Sequence, residues 1–119
     1  MYEHEATVIE GVDFAIIIGE RPPSGYPGDI LDTSEANAAL KAAYTWAAER
    51  ASDNAYANSA KVYIEAIPLN RAAGMDDRDT ADKTQLLYVI SNLMYWRGDI
   101  ARASKIILNA YIENLKSRY

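Results

Sequence analysis

The chain has 119 residues, half of them hydrophobic, no cysteine and a formal net charge of −5 at pH 7. This is the length of one domain, and it suffices to bury roughly two-thirds of the surface that an unfolded chain exposes. The composition excludes a disordered chain, and the lack of cysteine excludes disulfides, thiolate zinc sites and cysteine nucleophiles. No apolar run approaches the roughly 20 residues of a membrane span. Glu3 and Glu5 stand where a secretory signal carries basic residues, so the cytoplasm, or that of a host cell, is the expected location.

In chain order, residues 7–18 come first, rich in β-branched side chains. Val8, Val12, Phe14, Ile16 and Ile18 share one parity, which favours a strand or a hairpin bent at Gly11. Val8, Val12, Ala15 and Ile16 also make a helical stripe, and short apolar runs leave the two readings open. Residues 19–31 hold three glycines and three prolines, a density that neither a helix nor a central strand sustains. A long loop is expected there, of the kind that often carries function.

Asp32-Thr33-Ser34-Glu35 reads as a helix start. Asp32 with Glu35 resembles a capping box, and Thr33 or Ser34 can equally serve as the cap. Leu40, Ala43, Tyr44, Ala47 and Ala51 then line one face. Ser52-Asp53-Asn54 offers a break and a new cap, followed by a second helix bearing Tyr56, Ala60, Tyr63, Ile64 and Ile67. Pro68 ends or kinks it; a single bent helix over residues 34–67 is the alternative. Residues 68–79 are expected to form a loop, with Gly74 as terminator. A third helix begins at Thr80 or Asp82 and ends at Trp96, with Leu86, Val89, Ile90, Leu93 and Met94 as its stripe. Gly98 suits a left-handed cap and Asp99 the start of a fourth helix, which buries Ile100, Ala103, Ile107, Ala110, Tyr111 and Leu115. The expected fold is therefore a mainly α single domain, residues 1–119, of about four helices. It ends in a helical hairpin and has a strand or hairpin near the N-terminus.

Chemical motifs are weak throughout. Arg97-Gly98-Asp99 matches an integrin-recognition tripeptide but reads better as a helix stop and start. His4 is the only histidine, and Val8 stands where the second histidine of a zinc-protease helix is required. Asp76, Asp77, Asp79 and Asp82 lack the glycine and glutamate spacing of a calcium loop, and fit helix capping and dipole complementation instead. No catalytic, metal or cofactor site is expected.

Two features point toward a partner. Nine tyrosines and two tryptophans stand against one phenylalanine, and tyrosine, tryptophan and arginine concentrate at interface hot spots. Charge is also polarised: residues 1–35 hold eight acids and one base, Arg21, whereas residues 97–119 hold Arg97, Arg102, Lys105, Lys116 and Arg118 against Asp99 and Glu113. The expected function is a non-catalytic protein-binding module, an inhibitor or adaptor of a host complex of the kind that phages and mobile elements carry. Its expected contact residues are Arg21, Tyr26, Trp96, Arg97, Arg102 and Lys105. The charge polarity also allows head-to-tail homo-oligomers. One alternative is a nucleic-acid-associated protein using the basic C-terminal helix, which the acidic net charge disfavours. Another is a ligand binder or enzyme with a polar pocket.

Overall fold

The computed structural model describes residues 22–73 and 77–116. Five helices are present among them: α1 (Ser34–Arg50), α2 (Ala55–Glu65), α3 (Ile67–Ala73), α4 (Arg78–Ser91) and α5 (Asp99–Lys116). The described residues contain no strand. The expected strand or hairpin at 7–18 lies outside them.

Three of the helix starts have a capping side chain. Thr33, with extended backbone, accepts the Ala36 N–H at 3.1 Å and caps α1; Asp32 therefore does not form the expected capping box with Glu35. Asn54 caps α2, its Oδ1 accepting from the N–H groups of Tyr56 (2.9 Å) and Ala57 (3.1 Å). Asp77 caps α4 through Thr80 N–H at 2.9 Å, which moves the start ahead of the expected Thr80 or Asp82.

The expected loop over 68–79 is in part a helix. Pro68 does separate α2 from α3, but it falls in the first turn of α3, where a missing N–H removes no helical bond. Asn70 N–H then reaches the Ala66 carbonyl at 2.9 Å, and buried Ile67 anchors the turn. Gly74 lies outside the described residues.

The third predicted helix also stops early, at Ser91 rather than Trp96. Ser91 Oγ donates to the Leu87 carbonyl and Asn92 Nδ2 to the Tyr88 carbonyl, both at 2.8 Å, so side chains take the acceptors that further helical N–H groups need. Residues 92–96 continue in tight turns, with Leu93 N–H on Ile90 and Trp96 N–H on Leu93. Gly98 has a left-handed φ of +112°, and its carbonyl accepts the first helical bond of α5, from Arg102 N–H. It thus opens α5 instead of capping α4, and Asp99 is the first helical residue rather than the cap.

Four helices close a ring of contacts: α1 on α2, α2 on α4, α4 on α5 and α5 on α1, with short α3 against α2 and α4. Alanine makes this possible. Ala36, Ala39, Ala42, Ala43 and Ala47 are all buried on α1 and let neighbouring helices come close, while Leu40, Tyr44, Ile64, Leu86, Leu93 and Leu108 fill the centre.

The segment entering α1 is stitched to the bundle by polar contacts. Asn37 brackets Leu31, its Oδ1 accepting the Leu31 N–H at 2.8 Å and its Nδ2 donating to the Leu31 carbonyl at 2.9 Å. Arg71 forks onto buried Asp82 (2.8 and 2.7 Å) and also donates to the Ile30 carbonyl at 2.6 Å. Arg78 joins Asp32 at 3.2 Å, and the Asp32 N–H donates to Tyr111 Oη on α5 at 3.1 Å.

Without Arg71, buried Asp82 keeps only the looser ion pair to exposed Arg78 at 3.8 Å. Arg71→Met should therefore cost about 3 kcal/mol in denaturant unfolding, and adding Asp82→Leu should recover part of it. Parental stability in the single variant would contradict this account. Two glycines should respond differently to alanine. At Gly98 a Cβ meets nothing within 4 Å, so only the positive φ is felt, at about 1 kcal/mol. At Gly25 (φ +106°) a Cβ would also lie 2.7 Å from the Tyr44 hydroxyl, so Gly25→Ala should cost about 2 kcal/mol or more.

Candidate functional site

The six residues singled out from sequence separate into distinct places. Arg21 lies outside the described residues. Tyr26 turns inward: its ring packs on Tyr44 (centroids 5.3 Å apart, tilted 53°), and its hydroxyl reaches the Asn37 carbonyl at 3.4 Å. Burial, then the charge of Asp29, pushes its phenol pKa up. Tyr44 in turn donates to Glu65 at 2.6 Å, and Lys61 donates to the same oxygen at 2.9 Å. Residues 25–26 of the loop are thus packed against the core side of α1.

Trp96, Arg97 and Lys105 come together, and Arg102 stands near them on the first turns of α5. Trp96 is buried and stacks on Trp46 of α1, with ring centroids 6.0 Å apart and planes 24° from parallel. Lys105 Nζ donates to the Trp96 carbonyl at 2.7 Å. Burial, and then the nearby positive charge of Arg97, lowers the Lys105 pKa. The ammonium group is therefore committed to holding the turn, while Arg97 and Arg102 remain exposed.

A cleft of about 520 Å³ opens beside this turn. Thr45, Trp46 and Glu49 line it from α1, and Trp96, Arg97, Gly98, Asp99 and Ile100 from the turn and the start of α5. Sequence reasoning named Trp96 and Arg97 but missed Trp46 and Glu49. The available signal was their i, i+3 spacing on one face of α1, on the same side as Ala42; nothing in sequence tied that face to residue 96.

A second surface lies on α2, α4 and the turn after α4. Tyr56 and Tyr95 meet at 5.2 Å, and Tyr63 and Tyr88 at 5.3 Å. Each residue later on α2 meets one earlier in the chain near α4, so the two helices run antiparallel with a double tyrosine rung on their outer side. Tyr56, Tyr88 and Tyr95 are 42, 50 and 54% exposed, and Leu87 and Met94 are also exposed. The tyrosines expected in helices thus sort into kinds: Tyr44 and Tyr111 are buried, Tyr63 is half-buried against the core, and Tyr56, Tyr88 and Tyr95 are exposed and complete a ladder with it. Tyr95, expected in a helix, stands in the turn beyond it.

Scans against protein families, curated proteins and solved structures each found no match.

The Tyr44–Glu65 contact gives a pH signature. The hydrogen bond from Tyr44, and next that from Lys61, holds the Glu65 carboxyl below its usual value of 4.5. A depressed carboxyl stabilises the fold above its unfolded-state pKa, and this contribution disappears as pH falls through the folded-state value. Glu65→Gln should therefore flatten the acid limb of a Tm-against-pH curve below 4.5 and lower Tm near neutrality. An acid limb identical to that of the parent would remove Glu65 from this role.

Proposed function

We propose that this chain is a protein-binding module and that the tyrosine ladder of α2 and α4 is its contact face. The observation that carries the reading is a charge-free run. Residues 84–96 contain no Asp, Glu, Lys or Arg, yet Leu87, Tyr88, Met94 and Tyr95 within that run are exposed. Interface centres are depleted of charge and enriched in aromatic side chains and methionine. Tyrosine also supplies large contact area at low entropic cost, with a hydroxyl that stays satisfied in water before binding.

The partner is a protein surface with its own apolar centre and hydrogen-bonding rim. An inhibitor or adaptor acting on a larger complex fits this face, because such a role asks for a rigid surface rather than reactive groups. The helical pair beneath the ladder provides rigidity: Gln85, buried between α2, α3 and α4, donates to the Tyr63 carbonyl at 3.0 Å and accepts from Asn70 at 2.7 Å.

The test replaces Tyr88, in the last turn of α4, and Tyr95, in the exposed turn beyond it, together by lysine, which a helix C-terminus and an exposed turn both tolerate. The full chain is used as bait in its own producing cells, with Arg102→Glu on α5 as the comparison. The ladder variant should keep its Tm within a few degrees and lose partner affinity by about tenfold or more, a change of about 1.4 kcal/mol. Undiminished capture by the lysine variant, or loss confined to Arg102→Glu, would move the interface off the ladder.

A further inference from the structure

The cleft beside Trp96 has a chemistry of its own. One of its walls is the stacked pair Trp46 and Trp96, contributed by two different parts of the chain. Its lining includes Glu49 from α1 and Asp99 from α5, both exposed and neither in an ion pair among the described residues. Arg97 lines the same cleft but makes no ion pair with either carboxylate among the described residues. The half-buried indole of Trp46, backed by buried Trp96 and flanked by two exposed carboxylates, is suited to a planar cation. Tryptophan is the strongest cation–π partner, and a guanidinium both stacks on aromatic faces and forks onto carboxylates.

We infer that this cleft accepts the guanidinium of an arginine side chain presented by a protein partner. Its volume of about 520 Å³ lies within the range of small-group sites and easily holds one such side chain. Lysine fits less well, because its ammonium is compact and strongly hydrated and has no planar face to lay on an indole. An anion is opposed by those two carboxylates. The net charge of −5 draws basic segments toward the molecule as a whole. Arg97 works against the bound cation and so sets a ceiling on affinity. The assignment to a protein partner rests on the reading above; the guanidinium chemistry of the cleft does not, and it is tested without any partner.

The experiment titrates blocked arginine (N-acetyl-arginine amide) into the full chain and follows the indole N–H signals of Trp46 and Trp96 by NMR. Both signals should shift saturably, with a Kd in the millimolar range (about 1 mM or weaker). Glu49→Gln and Asp99→Asn should each weaken binding by about threefold or more, and Arg97→Gln should strengthen it, because it removes a like charge. Blocked leucine amide and inorganic phosphate should leave the indoles unmoved. Equal response to blocked leucine would make the cleft merely apolar, and saturation by phosphate, abolished in Arg97→Gln, would make it an anion site; either overturns the inference. So does a lack of any shift with blocked arginine. Binding of free but not blocked arginine would replace the partner side chain by a small amino acid, which also overturns it. If the cleft behaves as inferred while the ladder variant still captures its partner, the fault lies with the proposed contact face and not with the cleft.

Discussion

The contact on which the most other structure depends is the fork of Arg71 onto Asp82. Asp82 is almost fully buried, and a carboxylate without a partner there would carry a large desolvation cost. Arg71 answers it with two short bonds, and a third hydrogen bond from the same guanidinium holds the Ile30 carbonyl. One side chain on short α3 thus ties together α4 and the segment entering α1. Arg78, Tyr111 and Asn37 extend the same arrangement over residues 30–32. The ring of four helices is closed at this point by charge and hydrogen bonding, and elsewhere by alanine-lined packing.

That division explains where the molecule is free to present a surface. The polar clasp and the Tyr26–Tyr44–Glu65 stack use up the loop side of α1 and the ends of α2 to α4. The outer face of α2 and α4 has no such partner among the described residues, and there the aromatic rings lie against one another and against solvent. The Trp46–Trp96 stack similarly joins α1 to the turn before α5 and leaves charged side chains around a cleft.

Much of the helical plan was legible in the residues themselves. A cap within Ser52-Asp53-Asn54, Pro68 as a break and Gly98 at a left-handed position act through near neighbours in the chain, and of the expected stripe Leu86, Val89 and Leu93 are buried whereas Met94 is exposed. The errors fell where a distant group or a competing side chain decides. Residues 67–73 were not legible as a helix because a proline and a nearby glycine mask a turn that Ile67 burial stabilises. The early end of α4 depends on Ser91 and Asn92 bonding back to carbonyls, which polar residues do in some helices and not in others.

The candidate surfaces divide in the same way. From sequence alone came the enrichment in tyrosine and tryptophan and the special role of the Arg97-Gly98-Asp99 joint, because composition and spacing are local properties. Only the tertiary structure decided that Tyr26 faces Tyr44, that Tyr88 and Tyr95 face outward, and that Trp96 meets Trp46 beside Glu49 and Asp99. Those outcomes depend on which helix lies against which, and that is set by contacts between residues 11 to 79 positions apart, such as Tyr26 with Asn37 and Asp32 with Tyr111. A helical period states that a residue lies on a face; the neighbouring helix determines whether that face is core or surface.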